Sequence, residues 1–199
     1  METPSSAQTL PTSPGFLLAK HALLQYGLVL LLFSLFAATD SWQHLTGWPL
    51  ATVLASIMGL LAGFSTTTVL HEWFHWLGAR LSGGTYTIPP QPGLFVYDWD
   101  FDKSDVKQFF TMSIGGNIGG LLALVWLASS IETDTVARAA LIAGSVASVA
   151  FAAVIEWPVL WRTRDSREPL AELSKIDAGV LKRAALISLG AGLLVWYLL

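Results

Sequence analysis

One segment of this chain, His71-Glu72-Trp73-Phe74-His75, has the HExxH pattern of many metal-dependent hydrolases. On a helix, a spacing of four residues places both imidazoles on one face, one turn apart, where they can bind a single zinc ion. The glutamate beside the first histidine can then act as general base on a water held by the metal. The pattern therefore predicts a hydrolytic zinc site with His71 and His75 as ligands and Glu72 as a catalytic residue.

The HExxH pattern is also compatible with roles outside hydrolysis. The two histidines and the glutamate could simply bond to neighbouring helices, although ionisable groups inside an apolar segment are costly and usually functional. A histidine-rich membrane di-iron oxygenase would need many more histidines than the four in this chain. Haem ligation by His71 or His75 has no separate signal in the sequence.

A zinc site needs a third protein ligand. Because the chain has no cysteine, that ligand must be a histidine, a carboxylate or another oxygen group. At about 1.5 Å per residue, His71 and His75 lie roughly 7–14 Å inside the end of their apolar segment, with Arg80 marking its boundary. A partner ligand should lie at a similar depth in another segment.

Glu156 meets this requirement. It precedes Arg162 by six residues, which places it roughly 9 Å deep by the same helical rise. Besides Glu72 it is the only carboxylate in the interior of any apolar segment. The sequence therefore predicts Glu156 as the third zinc ligand, with an interfacial ion pair to Arg162 or Arg164 as the alternative.

Asn117 enters its apolar segment from the same side and reaches a similar depth. A buried amide there could donate to a substrate carbonyl or to the developing oxyanion, which makes Asn117 a second catalytic candidate. The surrounding run Gly115-Gly-Asn-Ile-Gly-Gly has small residues four apart, which bring helices close together. Packing alone accounts for this run equally well, and the two roles are compatible.

The composition places these residues in a membrane. Hydrophobic residues make up 53% of the 199-residue chain and charged residues 13%, and its mean hydropathy is +0.57. Soluble domains carry about 25% charged residues. The few charges, with a net charge of −3, leave no surface suited to nucleic acid. We expect membrane lipids and other proteins as partners.

Five apolar stretches are long enough for a hydrocarbon core, which needs about 20 residues per helix. The fold class is therefore an all-α polytopic membrane protein. The second stretch exceeds a bilayer, so we expect tilt, protrusion or a break near residues 63–68. The five predicted spans are 16–38, 48–81, 109–130, 136–161 and 181–199.

The segments around these spans have other compositions. Residues 82–107 hold three prolines and two strand-like stretches, 85–88 and 94–97, which predict a short membrane-associated β segment. Residues 1–14 are polar and proline-rich, which predicts a flexible tail. Residues 15–199 then form a single transmembrane domain.

The basic residues predict an orientation. With five spans, all 11 lysines and arginines except Arg138 fall on one side of the membrane. Because basic loops stay in the cytoplasm, we expect a cytoplasmic N-terminus and an active site near the cytoplasmic side.

The order of these features resembles the site-2 protease family of intramembrane metalloproteases. An HExxH helix is followed by a proline-containing strand-like segment, a glycine-rich helix with Asn117 and a late span with an acidic residue, together covering about 48–161. The resemblance implies a three-helix catalytic core, zinc bound by the two motif histidines and a distant carboxylate, and cleavage of substrate helices within the membrane.

The sequence also departs from that family. The third-ligand position usually holds Asp-Gly, whereas this chain has Glu156-Trp157-Pro158. The Gly-Pro-x-x-Asn element is matched only loosely by Gly115-Gly116-Asn117. A non-catalytic, protease-like subunit that stabilises a larger membrane complex is therefore the alternative, and retention of both histidines and the motif glutamate favours the enzyme.

Overall fold

The computed structural model describes residues 13–199, so residues 1–12, most of the expected tail, lie outside the described residues. Within 13–199, five helices are long and apolar enough to span a membrane, which confirms the predicted fold class. A two-stranded antiparallel sheet follows the second of them. The elements are α1 (Pro14–Thr46), α2 (Pro49–Leu81), β1 (Tyr86–Thr87), β2 (Asp98–Trp99), α3 (Val106–Ser130), α4 (Val136–Ser166), α5 (Pro169–Leu173) and α6 (Ala178–Leu198).

Local sequence signals set the helix boundaries. The Ser13 side chain accepts from the backbone of Phe16 and precedes a proline at the first position of α1. Asp105 and Gln108 form a reciprocal capping box at the start of α3. Gly47 ends α1 in the left-handed conformation, which glycine adopts without strain. Because α2 begins two residues later, α1 and α2 form a tight antiparallel pair.

The second span runs as one continuous helix, so the break considered near residues 63–68 is absent. Its 33 residues extend about 50 Å, longer than the hydrocarbon core, so tilt or protrusion must accommodate the excess. Gly63 serves packing in this helix, since a Cβ there would overlap the backbone carbonyl of Leu141 on α4. The glycine lets the two helices approach closely without bending either.

Helix α2 lies at the centre of the bundle, in contact with α1, α3 and α4, while α6 packs against α4. Two hydroxyl pairs join α2 to α4: Thr67 Oγ1 is 2.6 Å from Ser145 Oγ in a buried pair, and Thr68 Oγ1 is 2.8 Å from Ser148 Oγ in a partly buried one. These pairs lie within about a turn of His71. The α2–α4 contact therefore fixes the relative position of the helices that carry the predicted ligands.

The β segment is present, although its second strand lies later than predicted. Tyr86 pairs with Trp99 and Thr87 with Asp98, whereas residues 94–97 form no strand. We call residues 88–97, which connect the two strands, the strap. Prolines at three of its positions lack an N–H for strand pairing, and α1 binds several of its carbonyls.

Gln25 near the start of α1 makes the central contact with the strap. Its amide donates to the carbonyls of Gly93 and Leu94 at 2.7 and 2.8 Å, and its oxygen accepts from Trp73 Nε1 at 2.8 Å. Trp73 lies within the HExxH motif, so Gln25 joins the strap to the motif helix. Two neighbouring side chains donate to further strap carbonyls, Lys20 to Pro90 at 3.0 Å and His21 to Pro89 at 3.1 Å.

Candidate metal centre

Three side chains, His71, His75 and Glu156, meet between α2 and α4. The two histidine Nε2 atoms are 2.9 Å apart, and Glu156 Oε1 lies 2.7 Å from His71 and 3.1 Å from His75. Both histidines are buried, and the Glu156 side chain is 20% exposed. Residues from two distant parts of the chain thus form a buried group that could hold a metal ion.

The alternative ion pairs considered for Glu156 are not formed. Arg162 Nε instead donates to Glu172 at 2.8 Å, and the Arg164 guanidinium lies 5.5 Å from the centre of the Trp161 ring. The Glu156 carboxylate faces the interior of the bundle.

The contacts of His75 require a proton or a metal ion at the centre of this group. His75 Nδ1 lies 2.9 Å from the Met112 carbonyl oxygen, which can only accept, so Nδ1 carries the proton. In the neutral ring, Nε2 then presents a lone pair toward a carboxylate oxygen. Two acceptors at this separation need a proton or a metal ion between them. The backbone bond at the far nitrogen is the kind of contact that orients a metal-bound histidine.

The spacing of the three ligand atoms fits zinc after a small adjustment. Zinc bonds of 2.0–2.1 Å in tetrahedral geometry separate ligand atoms by roughly 3.3–3.4 Å. The observed separations are 2.7, 2.9 and 3.1 Å. The ligand atoms would need to move apart by about 0.2–0.7 Å, which small changes in the side-chain torsions can supply.

Asn117 contacts the Glu156 carboxylate. Its Nδ2 donates to Glu156 Oε2 at 2.6 Å and to the Ser113 carbonyl at 3.1 Å. Both amide protons are therefore engaged, and in this arrangement neither is free for a substrate carbonyl. The contact holds Glu156 with its other oxygen toward the histidines.

The glycine run of α3 brings this helix against the HExxH motif. A Cβ at Gly116 would overlap the His75 imidazole, and one at Gly115 would lie 2.5 Å from the Phe74 carbonyl oxygen. A Cβ at Gly119 would lie 2.5 Å from Phe74 Cβ. The packing role expected of this run is therefore observed, and it places Asn117 beside Glu156.

Glu72 is 8% exposed and is not one of the three converging ligands. With His75 and Glu156 it lines a cavity of about 460 Å³. Glu72 therefore faces the same space as two of the three residues that could hold a metal ion.

Tyr97 of the strap lines the same cavity. Burial raises the pKa of its phenol above the ordinary value, and the nearby Glu72 and Glu156 carboxylates raise it further. The phenol therefore stays protonated and can donate a hydrogen bond into the cavity.

Sequence reasoning missed several residues that shape the site, among them Met112, Tyr97 and Gln25. Gln25 had an available signal, because an uncharged amide within a span is costly in lipid and marks a contact or a function. Met112 acts through its backbone carbonyl, for which residue type gives no signal.

No protein-family model, no curated protein and no solved structure matches this chain. The functional conclusion therefore depends on the geometry of the site.

Proposed function

We propose that this protein is an intramembrane zinc metalloprotease of the site-2 protease type. The observation that carries the proposal is the group formed by His71, His75 and Glu156, next to a cavity that Glu72, His75 and Glu156 line, among helices long enough to span a membrane. Because these helices lie in lipid, the accessible substrates are membrane-embedded polypeptides.

The ligand set supports zinc as the metal. Two imidazoles and one carboxylate are a combination found in catalytic zinc sites, where a fourth position stays open. When bound there, zinc would supply Lewis-acid chemistry, which polarises a carbonyl and lowers the pKa of water. The three residues are the only described group of histidines and carboxylates that could hold a metal ion.

Residues of the chain would transfer the protons, position the ligand Glu156 and bind the substrate. Glu72 would take a proton from the attacking water and return it to the leaving amine. Asn117 would hold Glu156 in its ligating position through the 2.6 Å bond. Tyr97 would donate a hydrogen bond to the substrate from the strap. Burial of the histidines among α2, α3 and α4 would keep bulk water from the reaction.

We further propose that the N-terminus and the site face the cytoplasm. The unequal distribution of lysines and arginines between the two sides supports this orientation. Arg138, the one basic residue on the opposite side, forms ion pairs with Asp40 at 3.1 Å and Asp134 at 2.8 Å, so its charge is compensated. The chain has no native cysteine. A single cysteine introduced at position 166 should therefore be labelled only from the cytoplasmic side, and one introduced at position 133 only from the opposite side. Reversed labelling would overturn this orientation.

Metal analysis combined with cleavage tests the enzymatic function. Purified wild type should contain about one zinc per chain and cleave members of a fluorogenic transmembrane-peptide library in micelles. Glu72→Gln should keep zinc and lose cleavage, whereas His71→Ala and Glu156→Ala should lose most of the zinc. Glu156→Asp should retain zinc weakly, because its shorter arm needs helix movement to reach the metal.

The exposed Glu168 provides a matched control, since Glu168→Gln should change neither zinc content nor cleavage. Cleavage by Glu72→Gln at the wild-type rate would contradict the mechanism. A zinc-loaded wild type that cleaves no peptide would favour the non-catalytic subunit.

A further inference from the structure

The cavity beside the metal centre has mainly apolar walls away from the ligands. Side chains from α3, α4 and α5 line it, and several are almost fully buried: Phe109 is 2% exposed, Val159 2% and Leu160 6%. Val159 and Leu160 follow Glu156 by three and four residues, so they lie on the ligand's side of α4. The apolar wall therefore begins directly beside the ligands.

The short helix α5 completes this wall with Leu173. Its neighbour Glu172 is 4% exposed and accepts from Arg162 of α4 and from Lys175, each at 2.8 Å. These bonds hold α5 against α4. Leu173 therefore belongs to a wall of the cavity that the Arg162–Glu172 bond fixes in place.

The charges around the cavity select against acidic groups. Glu72, Asp98 and Glu156 line it, whereas no lysine or arginine does within the described part of the chain. An acidic side chain entering this space would meet Glu72 and Asp98 with no lysine or arginine beside it, and it would lose its hydration as well. An apolar side chain would meet the apolar wall.

We propose that this cavity binds a bulky apolar side chain next to the scissile bond, so that the substrate class is membrane polypeptides with a large apolar residue at that position. The inference rests on the proposed function. The volume of about 460 Å³ lies within the range of specific ligand pockets and accommodates a leucine or an aromatic side chain. Filling such a pocket strengthens binding by about 10- to 100-fold over glycine.

Hydroxamates test the pocket without a known substrate. Acetohydroxamate probes the metal alone, and aminoacyl hydroxamates of glycine, leucine, naphthylalanine and glutamate add a side chain. Binding to the zinc-loaded protein in detergent is measured by calorimetry. The leucine and naphthylalanine compounds should bind about 10- to 100-fold more tightly than the glycine compound. The glutamate compound should bind no more tightly than glycine.

Two variants test whether this cavity causes the preference for bulky apolar side chains. Leu160→Trp should fill the cavity and abolish the preference for bulky side chains, with zinc content and acetohydroxamate binding unchanged. Leu186→Trp is the matched control, because Leu186 is 60% exposed on α6 and should leave the preference intact. If Leu160→Trp fails to fold, Leu173→Ala, which enlarges the cavity, should favour naphthylalanine over leucine more strongly than wild type does.

The outcomes separate the two proposals. A wild type that binds neither zinc nor acetohydroxamate overturns the proposed function. A wild type that binds zinc and acetohydroxamate, yet binds all four aminoacyl hydroxamates equally, overturns the proposed side-chain pocket but not the proposed metal site. A preference that persists in Leu160→Trp, or that Leu173→Ala leaves unchanged, also overturns the assignment to this cavity.

Discussion

Asn117 Nδ2 donates to Glu156 Oε2 across 2.6 Å, while Oε1 of the same carboxylate faces both motif histidines. A glutamate side chain has one more rotatable bond than an aspartate and loses more entropy when it is fixed. The Asn117 bond, made from a different helix, holds that longer side chain in one position. It explains how the longer glutamate side chain is kept in a position from which it could hold a metal ion.

Removing the Asn117 amide should weaken the metal site without unfolding the protein. Loss of a residue that orients a ligand typically lowers metal affinity by about 10- to 100-fold. We expect Asn117→Ala to lose zinc to a chelator at correspondingly lower chelator concentration, with unchanged helical circular dichroism. Thr111→Ala, at an exposed position of the same helix, should behave as wild type. Equal zinc affinity in Asn117→Ala and wild type would show that this bond does not position Glu156.

Two glycines of α3 offer a steric test of the metal site. A Cβ at Gly116 would overlap the His75 ring, whereas one at Gly120 would lie 3.5 Å from His71 Nδ1, an ordinary contact. Gly116→Ala should therefore displace His75, lose most of the zinc and destabilise the protein by about 1–3 kcal/mol. Gly120→Ala should retain zinc. Metal analysis and thermal unfolding measure both effects, and equal zinc loss in the two variants would contradict the packing.

Gln25 should be needed to hold the strap. Gln25→Leu removes three hydrogen bonds, those to Gly93, Leu94 and Trp73. At about 0.5–1.5 kcal/mol each, their loss should lower the free energy of unfolding by about 1.5–4.5 kcal/mol and speed proteolysis within residues 88–97. Ser34→Ala on the same helix removes only a local bond to the Leu30 carbonyl and is the control. A strap equally resistant to protease in both variants would assign its stability to other contacts.

The attachment of α5 should depend on pH in the acid range. The hydrogen bond from Lys175 holds the pKa of Glu172 below its ordinary value, burial opposes this, and the bond from Arg162 lowers the pKa further. Because the folded pKa lies below the unfolded value of about 4.3, the stabilisation is complete at neutral pH and is lost as pH falls through the folded pKa.

Hydrogen exchange of residues 169–173 measures this dependence. Exchange, corrected for its intrinsic pH dependence, should stay constant from pH 7 to about 5 and rise below about 4. Glu172→Gln should exchange faster at neutral pH and lose the acid-dependent rise. A rise of equal size in that variant would assign the acid effect to another group.

Sequence pattern alone was enough to identify the five long helices and the positions of the candidate site residues along them. Apolar length identified the five spans, because a helix must cross a hydrocarbon core of fixed thickness. The HExxH spacing placed His71 and His75 on one face, because that periodicity is a local property of the helix. The helical rise placed Glu156 and Asn117 at the right depth for the same reason.

The rotation and packing of the helices, and the contacts that follow from them, could be seen only in the three-dimensional structure. The depth of Glu156 along α4 does not show which way its side chain points. That direction depends on how α4 is rotated against α2, which the close contact at Gly63 and the hydrogen bond between Thr67 and Ser145 fix. Asn117 acquired its partner 39 residues away only through packing of α3 and α4. The predicted strand at residues 94–97 failed for a related reason, because α1 binds the Gly93 and Leu94 carbonyls. The rotation of a helix about its axis depends on residues that are distant in sequence, and so does the choice of donor that binds a given carbonyl. Local periodicity carries no information about those residues.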